Sequence, residues 1–416
     1  MEEWKEYKLG EVCSRLRSGK GIKADFISNT GKYPVIGGNG VRGYTDSYNF
    51  EGQAAVIGRQ GAYCGNVRFY EGQAHMTEHA VVVVGNELAD TFFLACVLSR
   101  MHLGNLSGQS AQPVISVQTL SKQTLRLPSI VYQKQVSDII KSLDDKIAVN
   151  KKICENLEAQ AQVLFKHWFI DFAPFKDGNF CANREQNETC FNSAEVQPKI
   201  TGKACKFVES ELGLIPEGWR VGRLEEMASV VGSGGTPKSS VKEYYIGDIL
   251  WYGTGEFNDS FIYDSEKHIS QEAIDNSSAK IFPIHTVLIA MYGATVGKLA
   301  ILSNEASFNQ AALGIVAADS IGYPFIYLTL LACRKQLIRL ACGAAQQNLN
   351  AGTIKSHLTI IPNDNTMMLF NDLILPIFEK IECLQNESLR LATLRDTLLP
   401  KLMSGQIKVD EIEKSL

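Results

Sequence analysis

The chain has 416 residues, 45% of them hydrophobic and 21% charged, with 41 Lys and Arg against 45 Asp and Glu for a net charge of −4. This composition excludes a disordered chain, and the length points to two or three domains. No apolar run approaches the ~20 residues needed to cross a bilayer, and the acidic start, MEEWKEYKLGEV, lacks the order of a signal peptide, so a cytoplasmic protein with no membrane partner is expected.

The ten cysteines fall at irregular spacings without a CxxC pair, which argues against a zinc site or a disulfide framework. Charge gives no easy indication of a nucleic-acid partner. Lys and Arg number 13 against 11 Asp and Glu in residues 1–128, and 11 against 14 in residues 211–362. A DNA-binding role would have to rest on local patches or on a charged partner.

Residues 1–128 read as one domain. Short apolar runs at Tyr33–Ile36, Ala54–Gly58, Val67–Tyr70 and Ala80–Val84 are broken by glycines and predict strands with tight turns. Thr91–Met101 has helical apolar spacing, and Leu125–Pro128 closes the unit as a last short strand. A long helix follows within 129–172. Val136, Ile140, Leu143, Ile147, Asn150, Cys154, Leu157, Ala161, Leu164 and Trp168 recur at alternating spacings of four and three, the seam of a coiled coil. Residues 173–210 show no period and are rich in Asn, Lys, Gly and Glu, which predicts a surface linker.

Residues 211–362 repeat the first domain in outline, and 363–405 repeat the helix, leaving a tail at 406–416. Trp4 and Leu9 are answered by Trp219 and Leu224, and Gly61-Ala-Tyr-Cys-Gly65 by Gly293-Ala-Thr-Val-Gly297. Pro128 is answered by Pro362. Adding 234 to the seam positions gives Phe370, Ile374, Ile377, Ile381, Leu384, Ser388, Leu391, Arg395, Leu398 and Leu402, so each half is a domain followed by a long helix. Pro376 lies inside the second stripe, where the helix either kinks or restarts. Ser142-Leu-Asp-Asp145, at the matching place, could cap a break in the first. Gly405 is a natural stop.

No catalytic constellation is visible. Gly293–Lys298 has three residues between its glycines where a phosphate-binding P-loop needs four, and Leu299 follows the lysine, so a tight turn between strands is expected. His75 and His79 are four apart, but the sequence around them runs into a strand, which does not suit a helical metal pair. The remaining candidates are loop side chains able to pair with base edges or hold phosphates. In the first domain these are Arg42, Tyr44, Arg59, Gln60, Tyr63, Arg68 and Gln112. The second offers Ser233, Thr236, Lys238, Tyr292, Lys298, Gln310, Gln346, Gln347 and Asn348. Ordinary solvated turn residues would look the same.

Several stretches, in order, resemble the DNA-specificity subunits of type I restriction-modification systems. They are GKYPVIGGNGVRGYT, IGRQGAYCG, the helix SLDDKIAVNKKICENLEAQAQVLFKHWFIDF, LGLIPEGW, SGGTPKSS, IAMYGATVGKLAI, FNQAA and LRDTLLPKLMSGQIKV. The resemblance covers nearly the whole chain outside 173–210. It implies an α+β chain of two α/β target recognition domains in tandem, separated by two long antiparallel helices that act as a ruler. Each domain would read one half of a split double-stranded DNA site. The expected partners are two methyltransferase subunits and restriction/translocase subunits, which would carry S-adenosylmethionine, ATP and Mg, leaving this chain non-catalytic. The competing readings are a self-contained methyltransferase or nuclease with its own recognition domains, and a coiled-coil scaffold that reads no DNA.

Overall fold

The computed structural model of the protein describes residues 3–107, 113–176, 205–340 and 348–409. Gln112, Gln346 and Gln347, most of the expected linker and the end of the tail lie outside them. The chain forms two compact units, Met1–Ile147 with Arg390–Leu416, and Ala148–Leu389. Each holds one sheet domain and part of each long helix.

In the first unit, β1 (Lys5–Lys8) and β8 (Thr124–Leu127) pair as an antiparallel ribbon. Between them lie β2 (Cys13–Ser18), β3 (Tyr33–Gly37), β4 (Gly40–Thr45), β5 (Phe50–Gly58), β6 (Val67–Met76), β7 (Ala80–Gly85), α1 (Thr91–Arg100) and α2 (Val117–Ser121). One sheet runs β2-β7-β5-β6-β3-β4. The strands read as unbroken apolar runs because both faces are buried. Ala55, Ile57, Val81 and Val83 face the core that includes α1, while Ala54, Val56, Ala80 and Val82 face a second core. The sheet curls: Gly19 N donates to Ala80 O at 3.0 Å and Lys20 N to Met76 O at 2.9 Å, so the residues just after β2 bond both the start of β7 and the end of β6.

The second unit repeats this plan. It contains α4 (Ala173–Lys176), β9 (Phe207–Ser210), β10 (Gly213–Pro216), β11 (Arg220–Arg223), β12 (Ala228–Ser233), β13 (Ile249–Tyr252), β14 (Phe261–Ile262), β15 (His268–Ile269) and α5 (Gln271–Asp275). Then come β16 (Val287–Ala290), β17 (Leu299–Leu302), β18 (Ser307–Phe308), β19 (Ala312–Ala317), α6 (Tyr323–Leu340), α7 (Ala351–Lys355) and β20 (Leu358–Ile361). The ribbon β11–β20 matches β1–β8, and the order β12-β19-β16-β17 matches β2-β7-β5-β6. Even the parallel pair recurs: Val35 and Ile36 lie against His75 and Met76, as Trp251 and Tyr252 lie against Ser307 and Phe308.

Between the units' sheets in sequence lies α3 (Ile130–Phe169), and the chain closes with α8 (Asp364–Met403), each 40 residues long. The start of α3 is six residues earlier than the first seam position, Val136, because Ser129 accepts from the Tyr132 and Gln133 amides just after Pro128. The expected breaks do not occur. Ser142 Oγ turns back to Ile139 O at 2.7 Å inside the helix and caps nothing. Pro376 sits exposed within one continuous helix, between the buried Ile374 and Phe378. Gly405, at φ +70°, ends the last turn beside the Trp4 indole.

Every seam position of both helices is buried or half-buried, including Leu143, Ile147, Leu157, Leu164, Ile377, Leu391 and Leu398. Within each unit the helices run antiparallel. In the first, Arg395 Nη1 meets Asp144 Oδ1 at 2.6 Å and Tyr132 OH donates to Leu402 O at 3.1 Å. In the second, Asn150 Nδ2 donates to Glu387 Oε2 at 2.7 Å, and Cys154 Sγ faces Ile381 O at 3.8 Å. Phe165, Trp168 and Phe169 interlock there with Phe325 and Phe370.

The linker expectation is corrected at both ends of 173–210: its first residues form α4, where the buried Phe175 packs on Trp168 and Trp219. Its last residues form β9, paired with β10 from Ser210↔Gly213 to Phe207↔Pro216. Gly213 supplies the left-handed turn at φ +97°, and Phe207 packs its edge on Phe172, so this short segment has a core to rest on. Among the described residues no helix is long and apolar enough to cross a membrane.

Candidate nucleic-acid interface

The turn that sequence spacing set apart from a P-loop is a structural corner in both units. Gly61 and Gly65 have φ of +79° and +82°, and Gly293 and Gly297 of +72° and +79°. Each turn joins two antiparallel strands, β5 to β6 or β16 to β17, and only glycine adopts that conformation freely. It leaves Tyr63 and Tyr292 exposed at 50% and 37%.

Around the corner, backbone hydrogen bonds repeat partner for partner. Gly58 N donates to Asn66 O at 2.8 Å, as Ala290 N does to Lys298 O at 2.9 Å. Arg59 N reaches His79 O at 2.9 Å, as Met291 N reaches Ala311 O at 2.7 Å. Ile115 N bonds Arg59 O at 2.9 Å, as Leu349 N bonds Met291 O at 2.9 Å. The bridges Gln60↔Val114 and Tyr292↔Asn348 complete the parallel. Gly19 N to Ala80 O is matched by Gly234 N to Ala312 O at 3.2 Å, and Lys20 N to Met76 O by Gly235 N to Phe308 O at 2.9 Å. The two units thus carry one loop frame twice.

In the first unit this frame gathers arginines. Arg42 lies against Gly37, where a Cβ would stand 2.7 Å from its Cδ. Arg68 lies against Gly40, where a Cβ would stand 2.9 Å from its Nη1. Arg68 Nη2 also donates to Asn39 Oδ1 at 3.1 Å. Any larger residue at Gly37 or Gly40 would push these side chains away. Arg59 is half-buried, with its Nε unpartnered among the described residues, and Gln60 is exposed. Tyr44 is set apart, further along β4, where its backbone pairs with Ser28. Its half-buried ring is not drawn into the cluster.

In the second unit the loop Ser233–Lys238 is held from beneath. Trp251 Nε1 donates to Gly235 O at 2.9 Å and Tyr245 OH to Pro237 O at 2.8 Å. Thr236 Oγ1 bonds the Gln310 side-chain oxygen, bringing two candidates together. Tyr292 and Asn348 are joined by their bridge, while Lys298 is exposed at the far side of the glycine turn.

Sequence reading missed the first unit's counterparts of the 233–238 loop. Ser18-Gly-Lys-Gly-Ile-Lys23 stands 215 residues before Ser233-Gly-Gly-Thr-Pro-Lys238, the same interval that separates Trp4 from Trp219. The shared Ser-Gly start and the final lysine were the available signal. Glu78, which was not singled out, and His79, considered only in a metal pair with His75, line the same corner. Glu78 Oε1 lies 3.3 Å from His79 Nε2. Among the described residues there is no cluster of three or more His, Cys, Asp or Glu that could hold a metal. Here the arrangement offers exposed donors, acceptors and cations on rigid turns, the equipment of base and phosphate contact.

Comparison with known proteins agrees with the duplicated plan. The family described as "Type I restriction modification DNA specificity domain" matches residues 1–159 and 216–390. The specificity subunit of the HindI type I restriction enzyme from Haemophilus influenzae is 31% identical over 332 residues, covering 71% of each chain. The MjaIX specificity subunit of Methanocaldococcus jannaschii is 26% identical over 318 residues, covering 75% of this chain and 67% of its own. The fold is that of the S subunit crystal structure from M. genitalium, with a TM-score of 0.68 at 16% identity over 96% of both chains. With two matches that span both sheet domains and most of each long helix, the chain belongs to the type I restriction-modification DNA specificity family.

Proposed function

We infer that this chain is the sequence-reading subunit of a type I restriction-modification complex, in which each sheet domain reads one half of a split DNA target. The observation that carries this reading is the loop frame built twice on one chain with different side chains, within a family of DNA specificity domains. Two equal frames with unequal residues suit two half-sites of different sequence. Chemistry belongs to partners. Two methyltransferase subunits, holding S-adenosylmethionine, dock on the long helices and methylate adenine, and restriction subunits with ATP and Mg translocate and cut.

Each helix is about 60 Å long at 1.5 Å per residue, longer than one ~34–36 Å turn of B-DNA. We assign to that length the gap between the half-sites. The near-neutral charge of the chain is compatible with DNA binding if the modification subunits share the phosphate contacts.

The test is genome-wide mapping of methylated adenine in cells that express this chain with its modification subunits, against cells that express the modification subunits alone. A split motif that appears only with the chain supports the reading. A continuous motif, or the same motif in both, would overturn it.

A further inference from the structure

The two loop frames place Glu78 and Gln310 at the same point, and their chemistry is opposite. Thr77 N bonds Ile36 O at 2.9 Å just before Glu78, as Asn309 N bonds Tyr252 O at 3.0 Å just before Gln310. Just after them, His79 O and Ala311 O accept from Arg59 N and Met291 N. Both side chains are therefore fixed at each end by matching backbone bonds and leave the sheet at the same corner.

A carboxylate only accepts hydrogen bonds, whereas a carboxamide both donates and accepts. Glu78 Oε2 is buried without a hydrogen-bond partner among the described residues, while the side chain is 45% exposed and its Oε1 lies beside His79. Gln310 is exposed, and its oxygen is held by the Thr236 hydroxyl, which orients the amide nitrogen. The residue facing Glu78 across the corner is Gly21, with no side chain to occupy the carboxylate.

We propose that Glu78 and Gln310 are equivalent specificity-determining residues, which read the base at the same position of the first and second half-site respectively. The proposal rests on the DNA-reading role above. Glu78 accepts from an exocyclic amino group, as a carboxylate does from cytosine N4. Gln310 pairs with adenine through its N6 and N7 edge. Both half-sites thus share one reading geometry, and their sequences diverge by exchange of the side chain at a common position.

The test uses the full chain with its modification subunits, as wild type, Glu78→Gln and Gln310→Glu. Adenine methylation is mapped, and binding of the complex is measured to duplexes carrying each of the four bases at every target position. Glu78→Gln should change the preferred base at one position of one half-site by roughly 10- to 100-fold, the span of one mismatched pair. Gln310→Glu should do so at the corresponding position of the other half. A motif unchanged in either variant, a change in both halves, or an equal loss of binding to all four bases in a variant that keeps its circular dichroism spectrum would overturn it. If wild type itself shows no split motif, the DNA-reading role fails instead, so the two failures are distinguishable.

Discussion

Replacing Asn150 by Asp sets a carboxylate into the helix seam beside another. Asn150 is fully buried, and its amide donates to Glu387 Oε2 at 2.7 Å. In Asn150→Asp an ionised pair about 3 Å apart would repel by roughly 5 kcal/mol at an effective dielectric of about 20. Protonating one member at pH 7 costs about 4 kcal/mol, three units above an ordinary carboxylate pKa near 4. Protonation is cheaper and sets the destabilisation. Because the folded-state pKa of the pair is raised above its unfolded value, the cost is absent at low pH and grows by about 1.4 kcal/mol per unit as pH rises. Urea unfolding should show a loss of about 4 kcal/mol at pH 7 and about 1.5 kcal/mol at pH 5, relative to wild type at the same pH. Trp168, Trp219 and Trp251 all lie in the unit that contains Asn150, so fluorescence reports it. A cost below 1 kcal/mol, or one equal at both pH values, would refute the buried Asn150–Glu387 contact.

Three further outcomes follow from packing and backbone geometry. Phe370→Ala removes a fully buried ring that touches Phe165, Trp168, Phe169 and Phe325, and should cost about 3–5 kcal/mol in the same urea assay. Gly61→Ala and Gly65→Ala share a left-handed backbone, but only a Cβ at Gly65 would collide with the Gly104 backbone. Calorimetry should therefore show a clearly larger drop in Tm for Gly65→Ala. Iodoacetamide at pH 8 should modify the exposed Cys383 quickly while sparing Cys96, whose thiol burial pushes up to about 12, as peptide mass mapping would show.

Long periodic features were the legible part of the fold. The heptad stripe is readable because each seam residue has one neighbour surface, and a one-residue slip would expose it. The stripe could not say which residues meet. The interval of 234 relates duplicated positions, whereas contacts follow the antiparallel run, as between Asp144 and Arg395. Asn150 facing Leu384 is the one pair that satisfies both.

The strands were legible because a curled sheet with two cores leaves its central runs apolar throughout. Phe207–Ser210 escaped notice because a four-residue strand carries too little period to stand out from its polar surroundings. The proline inside α8 was ambiguous in sequence because helix tolerance depends on tertiary context, here an exposed site between the buried Ile374 and Phe378. At the candidate interface, individual arginines and glutamines were legible as residue types. Their grouping was not, since the backbone bonds that bring Glu78 to the position of Gln310 join segments far apart in sequence.

The central claim is that each sheet domain reads its own half of the target. Exchanging residues 219–362 for the second domain of another family member, then mapping methylated adenine, tests it most directly. The account predicts that one half of the target changes to the donor's sequence while the other half and the gap stay as they were. A target altered in both halves, or in neither, would contradict it.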